Sequence, residues 1–209
     1  MRVFNLTAVI ILIDQISKLY VKGISIPNLG INFQGIGYGN SIALIGSFFQ
    51  LTFIENPGMA FGLEIGGKLG LSLFTIAATI IIIYFIVINK NESIYLRISL
   101  AFILGGAVGN LIDRIFYGVI FGYAPLFYGK VVDFFHLDIP DFVFLGKTFH
   151  SWPIFNIADI SVSIGFVMII LGYKKIFHKV NKDELIQENT DAQSPETKIV
   201  NIINDNTQP

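Results

Sequence analysis

Apolar positions in this chain come in long unbroken runs, without the alternation of a half-buried strand or the single stripe of a soluble helix. A bilayer crossing takes roughly 20 mostly apolar residues. Four runs read as crossings, at about Val3 to Val21, Leu69 to Ile88, Ile98 to Ile112 and Ile154 to Tyr173. Asp14, Gln15 and Lys18 interrupt the first; the second is almost purely Ile, Leu, Ala, Thr and Phe; the third turns Gly-rich toward its end. The pattern predicts an all-α integral membrane protein with four transmembrane helices, a small extracytoplasmic β-sheet and an extended extracytoplasmic loop. The first run begins after Arg2 as a cleaved signal peptide would. It lacks a small-x-small cleavage site, so an uncleaved helix carrying buried polar groups is expected.

Between the first two runs, Pro27 to Gly46 is rich in Gly and Asn, and Phe48 to Ile54 is aromatic and β-branched. That composition predicts a small sheet or hairpin. The stretch from Asp113 to Pro153 is rich in Tyr, Phe and Gly, as suits side chains at a membrane–water boundary. Asp133 is expected in a loop there. Residues 1–177 are read as one membrane-embedded domain. Residues 178–209 are dominated by Asn, Asp, Glu, Gln, Thr and Pro and read as a disordered cytoplasmic tail. Arg2, Lys90 and Arg97, and Lys174, Lys175, Lys179 and Lys182 fall on one side of a four-helix arrangement. Basic residues favour the cytoplasm, so both termini are expected inside and the two long loops outside.

Composition strengthens this picture. Of 209 residues, 53% are hydrophobic and 14% charged, against about 25% charged in a soluble domain. A net charge of −1 gives no basic field for nucleic acid. With no cysteine there can be no disulfide, thiolate nucleophile or iron–sulfur cluster. His136, His150 and His178 have no metal-ligand spacing, so neither metal nor cofactor is expected.

Against that apolar background the carboxylates stand out, because an ionisable group at membrane depth is costly and is usually there for function. Asp133 lies in Val131-Val132-Asp133-Phe134, and Asp159 ends Phe155-Asn156-Ile157-Ala158-Asp159. Two carboxylates held close keep one proton between them near neutral pH. Such a pair can activate water and polarise a peptide carbonyl without a covalent intermediate. The plainer alternative makes each a helix cap or loop charge. Asn110 shares a helix face with Asp113 and Arg114, enough for a polar network. The glycines before it, Gly105, Gly106 and Gly109, are read as helix-packing positions. Asp14 and Lys18, four apart, can pair, either as an ion pair reaching the outer interface or in contact with a lipid headgroup or another helix. Asn56-Pro57-Gly58 suits a type II turn, or Asn56 offers its amide to a substrate backbone.

Taken together these segments resemble the lipoprotein signal peptidases, the signal peptidase II family, from about Asp14 to Gly165. The five motifs, in order, are Asp14-Gln15-Ile16-Ser17-Lys18, the run from Phe53 to Gly62, the run from Gly105 to Arg114, Val131-Val132-Asp133-Phe134, and Phe155-Asn156-Ile157-Ala158-Asp159. The second usually ends in Ser where this chain has Gly62. The stretches Ile115 to Lys130 and Phe135 to Ser151 are longer than is usual. The resemblance implies an intramembrane aspartyl endopeptidase of the bacterial inner membrane. Its substrates would be prolipoproteins bearing a diacylglyceryl cysteine, cut just before that cysteine. It implies Asp133 and Asp159 as catalytic, and a supporting network of Asn110, Asp113 and Arg114. Asn56, Gly58, Asn156 and Ala158 would shape the site, and Asp14 and Lys18 would be structural or lipid-facing. Expected partners are these substrates and membrane lipids, with the chain a monomer. The rival readings are a small proton- or cation-conducting transporter lined by aspartates, and a lipid-binding scaffold indifferent to loss of either aspartate.

Overall fold

The computed structural model describes residues 2–27, 30–58, 67–90, 93–140, 142–144, 147–149 and 151–172. The tail 178–209, His150, His178 and Gly62 lie outside them.

Helix α1 spans Arg2–Lys22. It ends because Gly23 adopts a left-handed backbone, φ 81°, and returns its N–H to the Leu19 carbonyl at 2.8 Å. A Cβ on Gly23 would stand 2.8 Å from the Phe33 carbonyl oxygen, so only glycine lets the next strand pair close against the helix end. Helix α2 spans Gly67–Ile88. Two of its hydroxyls bond within the helix, Thr75 to Leu71 O and Thr79 to Thr75 O, both at 2.8 Å, while Ser72 donates to the Phe127 carbonyl at 3.2 Å. Leu73, Phe74, Ile80, Ile81, Tyr84 and Val87 remain exposed on its surface.

Helix α3 spans Ile94–Ile112. It starts earlier than hydropathy suggests, because the Ser93 hydroxyl accepts the Tyr95 N–H at 3.3 Å and sets the first turn before the apolar run begins. It also continues further, through a π turn at Asp113–Tyr117 and a short α4 at Gly118–Ile120. The π turn shifts the helical hydrogen bonds, and the following loop takes up two of its carbonyls: Gly129 N–H donates to Arg114 O at 2.9 Å and Phe127 N–H to Ile115 O at 3.2 Å. The last helix, α5, runs over Ile157–Gly172. Its start is a reciprocal cap: the Asp159 N–H donates to Asn156 Oδ1 at 3.0 Å, and the Asn156 N–H to Asp159 Oδ2 at 3.1 Å. By length and composition α1, α2 and the α3–α4 stretch could each cross a membrane, and the described part of α5 is a shorter apolar helix.

Strands β1 (Ile24–Ile26) and β2 (Ile31–Phe33) form one antiparallel pair. Strands β3 (Ser41–Ile45), β4 (Phe49–Asn56) and β5 (Val131–Leu137) form an antiparallel sheet in that order. Asp133 therefore lies on a strand, paired with Ile54, and not in the loop expected from sequence. The apolar run around it supplies β-branched and aromatic side chains, and β4 offers a partner. Strands β6 (Phe142–Phe144) and β7 (Lys147–Phe149) form a separate antiparallel pair after β5.

Two apolar cores hold the assembly. Val3, Ile86, Ala101 and Leu104 pack α1, α2 and α3 together at one end. Val21, Phe53, Tyr117, Val132 and Phe134 lock the end of α1, strands β4 and β5 and the π turn at the other. The second cluster brings the sheet against the polar residues of the helices.

Candidate functional site

Lys18 is the floor of the site. It is fully buried, at 0% exposure, as are Asp14 and Asp113. Its ammonium meets Asp14 Oδ2 and Asp113 Oδ2 at 2.8 Å each and donates to Asn110 Oδ1 at 2.9 Å. An ammonium has three protons, and all three are used. Burial rules out the lipid-facing role for Asp14 and Lys18: α3 covers that face of α1. The remaining carboxylate lone pairs are also engaged. Asp14 Oδ1 accepts the Ala158 N–H at 2.9 Å, and Asp113 Oδ2 accepts the Val132 N–H at 3.2 Å. Asp113 Oδ1 accepts Gln15 Nε2 at 2.9 Å, and Tyr117 donates its hydroxyl proton to Gln15 Oε1 at 3.0 Å. This triad therefore ties α1, the π turn, β5 and the start of α5 to one buried charge cluster. Satisfied in this way, buried ions hold geometry and would be costly to break.

Above it, two asparagines carry the order upward. Asn110 must turn its Oδ1 toward Lys18, which can only donate, so its Nδ2 faces Asp159 Oδ1, at 2.9 Å. Asn156 presents its Nδ2 to acceptors: Asp133 Oδ1 at 2.7 Å, Asn110 Oδ1 at 3.0 Å and Val132 O at 3.3 Å. Its Oδ1 caps α5 through the Asp159 N–H. One asparagine thus touches both candidate carboxylates. Asn56 reaches Asp133 from the other side, Nδ2 to Oδ2 at 3.1 Å. It can do so because its own Oδ1 is held by the Gly58 N–H at 2.9 Å, a turn that needs Gly58 at φ 101°.

Burial first, then the charge of Asp159, pushes the Asp133 carboxyl up to about 7; the amides of Asn56 and Asn156 pull the other way. Asp159 is half-buried and opens on an apolar groove of about 480 Å³ whose walls include Trp152, Phe155, Ser163 and Val167. Arg114 is the odd member. It feels the charges of Asp113, Asp133 and Asp159, yet its Nε is buried without a hydrogen-bond partner. The guanidinium thus lies within electrostatic reach of all three carboxylates.

All the residues singled out from sequence converge here except Gly58, which acts through Asn56, and Ala158, whose buried side chain packs toward Gly109 while its N–H serves Asp14. Gln15 and Tyr117 were not singled out. Gln15 adjoins Asp14, a weak signal; Tyr117 gave none, since its partner lies 102 residues away. No group of three or more His, Cys, Asp and Glu side chains arranged for a metal ion occurs among the described residues. His136 sits on β5, its Nδ1 3.1 Å from the Thr52 hydroxyl.

The family model for signal peptidase II matches residues 6–175. The lipoprotein signal peptidase of Porphyromonas gingivalis is 34% identical over 220 residues, covering 92% of each chain. That of Pelodictyon phaeoclathratiforme is 34% identical over 174 residues, 83% of this chain and 90% of its own. A solved bacterial membrane enzyme superposes with a TM-score of 0.58 at 26% identity, across 83% of this chain and 88% of that one.

Proposed function

The chain belongs to the signal peptidase II family, and from that premise we propose that it is an intramembrane aspartyl endopeptidase with Asp133 and Asp159 as its dyad. Its substrates are diacylglyceryl-modified prolipoproteins, cut immediately before the lipidated cysteine. The observation that carries the reading is the shared Asn156, which donates to Asp133 and caps the helix turn holding Asp159. It fixes two acids against one another on different elements.

The dyad enters the cycle with one proton, held on Asp133. The other carboxylate takes a proton from water as the water oxygen attacks the scissile carbonyl carbon. Asp133 gives its proton to the carbonyl oxygen, and a gem-diol forms. On collapse the C–N bond breaks, the cysteine nitrogen receives the proton taken from water, and one gem-diol hydroxyl returns its proton to Asp133 as the new carboxyl forms, so the dyad again holds one proton. Arg114 supports the pair electrostatically, its charge acting on both Asp133 and Asp159. The apolar groove beside Asp159 suits a lipid-bearing substrate arriving through the bilayer. In this reading α5 is the fourth span, both termini are cytoplasmic, the sheet and the dyad face outward, and the chain works as a monomer.

The test is cleavage of a purified diacylglyceryl-modified prolipoprotein by wild type, Asp133→Asn and Asp159→Asn. Wild type should cut, and both folded variants should lose at least about 1,000-fold in kcat, since the acids act as one unit. Near-normal activity in either variant sinks the dyad. Absence of cutting by wild type turns attention to ion flux in proteoliposomes.

A further inference from the structure

Away from the dyad a second charge cluster is unaccounted for. Glu55 carries a lysine on each oxygen: Lys22 on Oε1, and Lys130 on Oε2 at 3.0 Å. The Glu55 and Lys22 side chains are only 12% and 10% exposed. Aromatic rings enclose the cations. The Lys22 ammonium stands 4.3 Å from the Phe121 ring centre, with Tyr123 and Phe53 at 5.3 and 5.5 Å. Lys130 lies 5.3 Å from the Tyr123 ring, and its backbone N–H donates to the Tyr123 hydroxyl at 2.9 Å. Such contacts strengthen where water is excluded.

The cluster's three charges sit just ahead of three parts of the site. Lys22 is one helical turn beyond Lys18 on α1. Glu55 immediately precedes Asn56 on β4, and successive strand residues point to opposite faces. Lys130 leads into β5, three residues before Asp133. In the ladder Glu55 pairs with Val132 and Ile54 with Asp133. A displacement of β4 at Glu55 is therefore a displacement of Asn56 relative to Asp133. Burial would raise the Glu55 carboxyl, but the hydrogen bonds and charges of Lys22 and Lys130 outweigh it and hold it below the usual glutamate range. The clamp is thus closed above that range and opens only as pH falls through the lowered value.

We infer that Glu55 is a positioning residue: its two lysine bridges fix β4 against α1 and β5 so that the Asn56 amide stays on Asp133. The inference rests on the dyad reading for its consequence in catalysis, but not for its geometry. Replacing the carboxylate by an amide leaves two ammonium groups facing one another with no charge between them.

The experiment uses the full chain in lipid nanodiscs, with Glu55→Gln, Lys130→Met, Asn56→Ala and the Glu55→Gln/Asn56→Ala pair. Three quantities are read: kcat and KM on the lipidated prolipoprotein, and the Asp133 carboxyl titration by isotope-edited infrared spectroscopy, which needs no turnover. Asp159, Lys18 and Arg114, the charges acting on Asp133, are present in every variant. Glu55→Gln should lower kcat by about 10–100-fold, the effect of a displacement on the scale of an ångström, with KM within about twofold. It should also move the Asp133 midpoint upward, as Asn56→Ala does, and the double variant should move it no further. Lys130→Met keeps the Lys22 bridge and should do the same less strongly, so it serves if Glu55→Gln does not fold. A wild-type Asp133 midpoint in Glu55→Gln or, failing that, Lys130→Met overturns the inference. If wild type does not cut but the midpoints shift as stated, the clamp stands and the protease reading falls.

Discussion

At the scale of single residues the decisive quantity is the state of Asp133. Its raised pKa, about 7, means that the proton is retained through the acid range and lost as pH rises through that value. The sign has two consequences. Stability drawn from this group is fully present below the ordinary carboxylate range and declines as pH climbs toward 7. Under the proposed dyad mechanism, which needs one protonated and one ionised acid, kcat/KM should follow a bell whose alkaline limb falls near 7; the two limbs belong to the pair. The Asn56 amide favours the ionised form, so Asn56→Ala should carry the alkaline limb to higher pH in a pH–rate series. A limb unmoved or shifted downward would mean that Asn56 does not hold Asp133 in the working enzyme.

At the scale of elements, glycine sets how close the helices come. A Cβ on Gly106 would collide with the Ala158 carbonyl oxygen of α5, and one on Gly105 would stand 2.8 Å from Ile10 of α1. On Gly109 it would stand 2.6 Å from an Asp14 oxygen. Gly109→Ala is therefore expected to destabilise by about 1–3 kcal/mol through overpacking, displacing the carboxylate as well. Thermal unfolding in detergent should show it, whereas an unchanged midpoint would mean that α1 yields without cost. Hydropathy made the helices visible because lipid demands long apolar runs. The pairing of Asp14 with Lys18 was legible from their spacing; the cap at Asn156 was not, because its partners became apparent only once the start of α5 was set. The strand around Asp133 was hidden because a carboxylate flanked by Gly- and Tyr-rich sequence looks like a loop until β4 is there to pair with it. The Glu55 clamp had no local signature at all: its lysines lie 33 and 75 residues away.

At the scale of the molecule, the five segments singled out from the sequence form one object: a hydrogen-bonded column runs from Lys18 through Asn110 and Asn156 to the two aspartates, and Asn56 joins it at Asp133. That column bears on how the protein is made. Asp14 and Lys18 each cost about 2.5–3.5 kcal/mol at the centre of a lone helix entering lipid, and their partner Asp113 is synthesised nearly one hundred residues later. During synthesis α1 thus carries two charges whose partner arrives only with α3, so the order of emergence from the ribosome bears on when the cluster can close. Lys18→Met leaves Asp14 and Asp113 without their cation, a loss of about 3–5 kcal/mol for a broken buried pair. The loss belongs to the finished bundle and not to insertion, so thermal unfolding in detergent should show a lowered midpoint, and an unchanged midpoint would overturn the expectation. The residues that anchor the finished site are also the ones that keep the nascent first helix waiting for its third.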